Sequence, residues 1–332
     1  MWYENIIGQE QAIEHFQRVF KNNRLNHAYI FQGGEGVGKK EFSIYLSQAI
    51  LCDQGFGLGC GKCSSCLRVK NQTHPDFILL EPLEQRKTIS IEQIRSLISR
   101  LSRRIHQGRK RLVIINPFDA VTDQGVNAFL KTLEEPPEDT VFILISSNPV
   151  AIRATILSRC QLIHFRALTK KEMKAFLLEE TADLNLLNSA IALAAGNKEQ
   201  ALSFLRDQEM RKNISAIIDW FFQEENWNLE DRGNWIDARE KDNWNWEDYQ
   251  VFWQIWSSMY RDRLLIELGS QSDQLNYPDL RGRYEAMKAK SILQLNRRIQ
   301  EIQKAIGLLS VRPPRNPIVF AEAILMNWNG ES

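Results

Sequence analysis

One stretch, GGEGVGKK at 33–40, limits the fold of this chain more than any other. An apolar run that ends in glycines, HAYIFQG (27–33), leads into it, and an amphipathic, helix-length segment, KEFSIYLSQAILC (40–52), leaves it. Strand, glycine loop and helix in that order form the setting in which backbone N–H groups and a helix N-terminus cradle phosphate. Gly33, Gly36, Gly38 and Lys39 are the candidate nucleotide-binding residues. The pattern G-x-x-x-x-G-K-[ST] fails at its last place: Lys40 stands where a hydroxyl should hold Mg²⁺.

A strand–loop–helix unit needs a sheet to join, and the next hundred residues supply one. DFILLEP (76–82), RLVIINP (111–117), TVFILISS (140–147) and QLIHF (161–165) are short apolar runs bounded by turn or charged residues. Helical patterns separate them: GQEQAIEHFQRVF upstream of the first run, SIEQIRSLISRLSRR (90–104), and DQGVNAFLKTLEE (123–135). Ser90 and Gln93 have the spacing of a capping box. Alternating strands and helices imply an α/β fold whose parallel sheet is covered on both faces. The chain is 43% hydrophobic over 332 residues, enough for two or three cored domains. After about 166 the helical segments TKKEMKAFLLEE, LLNSAIALAAG and KEQALSFLRD follow with no strand between them. From about 211 the composition shifts again, with eight of the nine tryptophans beyond residue 219. The expected division is an α/β domain at 1–165, a small helical domain at 166–210 and an all-helical domain at 211–332.

Charge and cysteines narrow the function. A net charge of +1 gives no global sign of an autonomous nucleic-acid binder. The acid-free run Arg95–Arg111, with Arg100, Arg103, Arg104, Arg109 and Lys110, is either a DNA-facing patch or a solvated helix face and loop. No apolar run reaches the length of a membrane span, and MWYENIIGQE is not a secretory signal, so a cytoplasmic protein without a membrane role is expected. Cys52, Cys60, Cys63 and Cys66 are spaced C-x7-C-x2-C-x2-C, with glycines at 55, 57, 59 and 61 to fold a knuckle. Four such thiolates suit a structural Zn²⁺ and leave no position for water. An iron–sulfur run would need a further cysteine at 70, which is lysine, and free thiols are the remaining reading. Cys160 reads as a small buried hydrophobe. Trp220, Trp227, Trp235, Trp244, Trp246, Trp253 and Trp256 suit packing in a core or a subunit interface better than base stacking.

The ordered set IIGQEQA (6–12), LNHAYIFQGGEGVGK (25–39), the four-cysteine insert, HPDF (74–77), NAFLKTLEEPPEDTVFILISSNP (127–149) and ILSRCQLIHF (156–165) resembles the bacterial DNA polymerase III clamp-loader subunits of the AAA+ superfamily. A weaker match, NPIVFAEAILM (316–326), lies in the helical half. The resemblance implies a RecA-like AAA+ P-loop domain with a zinc insert at about 52–66, then a helical lid and an all-α collar. It also separates motors from the stationary member of the ring. Lys40, Asn116 with Pro117, and Glu199 stand where motor subunits carry the Mg²⁺ hydroxyl, an Asp-Glu pair and a sensor arginine. The stationary, delta-prime type is therefore expected, with no ATP turnover of its own and weak nucleotide binding or an empty loop. An ATP-hydrolysing gamma/tau-like motor is the alternative, and a free-standing zinc-dependent DNA-binding protein a further one. By the same resemblance Arg159, in SRC (158–160), is an arginine finger acting on a neighbour's ATP. The implied partners are gamma/tau motor subunits and a delta subunit in a hetero-pentameric ring, with the sliding clamp and primer–template DNA reached through that complex.

Overall fold

The structure is a computed structural model that describes every residue except 84–85, 107–109, 149–151, 182, 243, 312–320, 322–324 and 326–332. Arg109, the prolines at 313, 314 and 317, and most of NPIVFAEAILM lie outside the described residues. Of that last stretch, Ala321 and Leu325 are described, and both are buried. The chain divides into two compact units, Met1–Thr169 and Lys170–Ser332.

The first unit holds the five expected strands: β1 (Ala28–Gln32), β2 (Phe77–Leu80), β3 (Arg111–Ile115), β4 (Thr140–Ser146) and β5 (Gln161–His164). They form one sheet in the order β2-β3-β4-β1-β5, with every pairing parallel. Side chains alternate across it, as a period of two requires. Tyr29, Phe31, Leu112, Ile114, Val141 and Ile143 face one core with α1 (Glu10–Lys21) and α2 (Lys39–Leu51). Ile30, Ile78, Val113, Ile115, Phe142 and Leu144 face the other with α4 (Ile91–Leu101) and α5 (Asp123–Glu134). Both faces are covered, which is why these strands read as continuous apolar runs. This is the α/β arrangement expected of the chain, a parallel sheet between two helical layers. The Ser90–Gln93 capping box is made in both directions and starts α4. A short helix, α3 (Ser64–Lys70), completes the cysteine insert, and another, α6 (Ala154–Leu157), precedes β5.

The second unit is helical throughout its described residues: α7 (Lys170–Leu177), α8 (Leu184–Ala194), α9 (Lys198–Arg206), α10 (Gln208–Gln223), α11 (Leu229–Lys241), α12 (Trp246–Glu267), α13 (Arg281–Glu285) and α14 (Ile292–Val311), with short 3-10 turns. Tryptophans form its core. Trp235, Trp244, Trp253 and Trp256 are buried within the chain, and Trp256 Nε1 donates to the Ile217 carbonyl at 3.1 Å. Ring contacts join Trp220 to Trp235 and Trp244, and Trp227 to Trp256. That settles the two packing readings: these four buried indoles hold this unit together and are not an exposed docking face.

Candidate functional site

The glycine loop lies at the carboxyl end of β1, where open α/β sheets place their ligands. Close packing and backbone conformation force its glycines. A Cβ on Gly33 would come 2.2 Å from the Phe165 carbonyl oxygen just beyond β5. Gly36 and Gly38 hold positive φ angles of 63° and 91°, a region L side chains rarely adopt. The structure therefore brings Gly33, Gly36, Gly38 and Lys39 together as a phosphate loop in form.

Its chemistry has changed. The Lys39 ammonium is buried and donates to the Gly33 carbonyl at 2.6 Å, to the Gly34 carbonyl, and to Ser147 Oγ at 3.2 Å. Lys40 Nζ bonds both oxygens of Glu81, at 2.8 and 3.0 Å. Glu81 Oε1 also accepts from Asn116 Nδ2 at 2.8 Å. The residues where a metal ligand would stand thus form a closed set of ammonium, carboxylate and amide. A lysine cation bound to the Glu81 carboxylate opposes a second cation there by simple charge repulsion. Asp119 offers no substitute. Its carboxylate accepts from Ser146 Oγ at 2.6 Å and from the Ser147 and Asn148 N–H groups at 2.7 and 3.2 Å, so it caps the exit of β4. Glu81 was missed in the sequence, because it lies 41 residues from Lys40 and only the fold brings the helix start and the end of β2 together.

The other end of α2 carries the cysteines. Cys52 is its C-cap residue and Cys63 caps α3, where its Sγ accepts from the Cys66 N–H. The four sulfurs of Cys52, Cys60, Cys63 and Cys66 lie within 4.8 Å of one another, and Cys52 and Cys63 are 3.9 Å apart. Tetrahedral zinc–thiolate bonding sets sulfurs roughly 3.8 Å apart, so the residues fit the ion. The Cys63 N–H donates to Cys60 Sγ at 3.3 Å, the kind of backbone support that orients metal-bound thiolates. The Lys62 and Cys63 N–H groups draw the Cys60 thiol down to about 6, while burial pushes Cys63 and Cys66 up. Asp53 accepts from the Ser65 N–H and hydroxyl, and Gln48 Nε2 donates to the Cys66 carbonyl at 2.9 Å, which ties the knuckle to α2. Gly57 and Gly59 have positive φ, and a Cβ on either would strike Phe20 or Trp2. Zinc bound there would crosslink the insert; with four protein ligands it has no open position for catalysis.

Arg159 sits in the connection between α6 and β5, half-buried. Its Nη2 donates to Glu134 Oε1 at 2.6 Å, and its Nη1 to the Thr155 carbonyl at 2.8 Å and Ser158 Oγ at 3.1 Å. Cys160 beside it packs against the core, and burial raises its thiol to about 12. Arg153 points elsewhere, to Asn127 and Asp123.

The basic run is less available than it read. Arg111 is buried and donates to the Leu101 and Arg103 carbonyls at 2.7 and 2.6 Å, so it closes the turn after α4. Lys110 pairs with Asp139 at 3.0 Å. Arg95, Arg100, Arg103 and Arg104 are exposed. Glu199 is exposed on α9. No helix among the described residues is long and apolar enough to cross a membrane.

Comparison with known proteins finds relatives for the chain. The model of a family described as DNA polymerase III, delta subunit, matches residues 8–169. The delta-prime subunit of DNA polymerase III from Bacillus subtilis is 28% identical over 291 residues, 84% of each chain. That of Pseudomonas aeruginosa is 38% identical over 135 residues, 40% of this chain and 41% of the relative. The tau subunit of Escherichia coli is 30% identical over 225 residues, 65% of this chain and 34% of the relative. Over residues 8–169, then, the chain is similar to the family described as DNA polymerase III, delta subunit, and delta-prime subunits are among its relatives.

Proposed function

We propose that this chain is the stationary, delta-prime-type member of a DNA polymerase III clamp loader. It turns over no ATP itself. The observation that carries this reading is the closed set of Lys40, Glu81 and Asn116 where a motor needs a hydroxyl and an acid to hold Mg²⁺. With Mg²⁺ excluded, the loop has no means to neutralise charge on a leaving phosphate. The work left to the chain is to position partners. Arg159 completes the ATP site of a neighbouring gamma/tau-type motor, and its planar, permanently charged fork suits a γ-phosphate. Residues 166–210 act as the lid. Residues 211–332 act as a collar that joins motors and a delta subunit in a hetero-pentameric ring, acting in the cytoplasm on the sliding clamp and primed DNA. Because the central tryptophans are spent on the chain's own core, the ring contacts come from other collar residues. Zn²⁺ in the knuckle is structural.

The test is reconstitution with motor and delta subunits. Co-elution on size exclusion, unchanged assembly of Arg159→Ala, and a fall in DNA- and clamp-stimulated ATPase in that variant are expected. Equal ATPase and clamp loading at equal assembly would remove Arg159 from the neighbour's site. Strong ATPase by this chain alone would support the motor reading instead.

A further inference from the structure

An arginine that acts on another subunit's phosphate must be held at the edge of its own. We propose that Glu134 is the positioning residue that holds Arg159 in that pose; this rests on reading Arg159 as an arginine finger. The contact joins two segments 25 residues apart, at 2.6 Å. Both sides are anchored. Glu134 is the last residue of α5, whose Leu133 and Phe129 are buried in the core. Pro136 and Pro137 follow the C-cap residue Glu135 and cannot extend the helix, so α5 ends where Glu134 faces the arginine. On the other side Ile156 and Ile163 are buried and fix the connection that carries Arg159.

The guanidinium is gripped from one side. Nη2 gives one hydrogen bond to the carboxylate, and Nη1 gives two to Thr155 and Ser158. Nε meets no acceptor among the described residues, so Nε and the second Nη2 hydrogen stay available to a phosphate. The end of a helix also favours a cation, which adds to the carboxylate's hold on the arginine. A half-exposed ion pair contributes little to folding, so stability gives this contact no purpose. Pre-orientation does: a long side chain held in its reacting pose loses no further freedom when the neighbour's ATP arrives. At the other end of α5, Asp123 pairs with Arg153. That pair is similar in kind and supplies a control on the same helix.

The experiment is steady-state ATPase of reconstituted loaders at equal assembly, with kcat and KM for ATP measured separately. Glu134→Ala is expected to lower the Arg159-dependent part of kcat roughly 10-fold, within the loss that a misplaced catalytic group causes, with KM unchanged. Glu134→Gln keeps an acceptor oxygen and should restore most of it. In an Arg159→Ala background Glu134→Ala should change nothing further, because it acts only through the arginine. Asp123→Ala should leave kcat unaltered. A loss with Glu134→Ala that persists in the Arg159→Ala background would show a general structural defect and overturn the proposal. So would a rise in kcat, which would make Glu134 a restraint on the finger. An Arg159→Ala loss with Glu134→Ala silent overturns this proposal alone. A silent Arg159→Ala overturns the finger and the positioning role together.

Discussion

Helix α2 has an ion-binding motif at each end, and the two have fared differently. At its N-terminus the glycine loop keeps its backbone shape, but Lys40 supplies an ammonium where Mg²⁺ would need a ligand. At its C-terminus the four thiols are complete and gathered within 4.8 Å. A loop's shape and its chemistry are thus separable. Gly33 and Gly38 are required by the close approach of Phe165 and by positive φ, whether or not phosphate binds. The knuckle has a few ties of its own, from Asp53 to Ser65 and from Gln48 to Cys66, but its small size would leave a bound ion as its main crosslink. The difference predicts that perturbing the C-terminal end disturbs structure strongly and that perturbing the N-terminal end hardly does.

The largest effect should come from the metal. Native mass spectrometry should find one zinc per chain. Chelation or Cys63→Ala should release the 52–66 insert while leaving the sheet folded, since zinc binding in small sites is worth roughly 10 kcal/mol of folding free energy. Hydrogen exchange measures it: protection should vanish in the insert and persist in β1, β3 and β4. A metal-free chain with unchanged protection there would break the contrast from the side of the cysteines.

A buried pair in the second unit calibrates the exposed one at the loop. Arg263 and Glu225 are 2% and 8% exposed, against 38% and 36% for Lys40 and Glu81. Arg263→Ala should cost about 3 kcal/mol, because it removes the main partner of a buried carboxylate and leaves it only Lys290 and the Lys288 N–H. Burial alone would raise the Glu225 carboxyl, but hydrogen bonding and charge from Arg263, with Lys290, outweigh it and hold it below its ordinary value. A depressed carboxyl stabilises the fold above its unfolded pKa of about 4.3. That contribution is lost as pH falls from there through the lower folded value. Denaturant unfolding between pH 6 and pH 3 should therefore show acid destabilisation that is weaker in Glu225→Gln.

Lys40→Met should then have the smallest effect, about 0–1 kcal/mol, as for other solvent-screened pairs. A loss of several kcal/mol in chemical denaturation would mean that the ammonium is a structural pin of the loop and not simply the occupant of a disused metal position.

The sheet was legible because buried parallel strands leave apolar runs that need no partner to be recognised. Ser90 with Gln93, and the cysteine spacing, are local signals of the same kind. What stayed hidden depends on chain-distant contacts. Glu81 against Lys40, and Glu134 against Arg159, are ordinary acids until the fold pairs them. Arg111 read as surface charge because nothing in its neighbours reveals that two carbonyls enclose its guanidinium. In the helical half, amphipathic segments gave the helices but not their partners. Trp235, Trp253 and Trp256 were therefore read as core or interface alike until their contacts within the chain resolved it. The sequence boundary near 165 and the structural one after Thr169 differ by a few residues, because the composition changes before the compact unit ends.

The central claim is that the loop end of α2 has lost its metal chemistry while keeping its shape. The most direct measurement is Mg²⁺-dependent ATP binding and hydrolysis by the purified chain, wild type beside Lys40→Thr. The account predicts no Mg²⁺-dependent turnover above background in either protein, because restoring the hydroxyl leaves Asn116, Pro117 and Glu199 without the groups that turnover needs. Mg²⁺-dependent hydrolysis by the wild-type chain, abolished by Lys39→Ala, would contradict it.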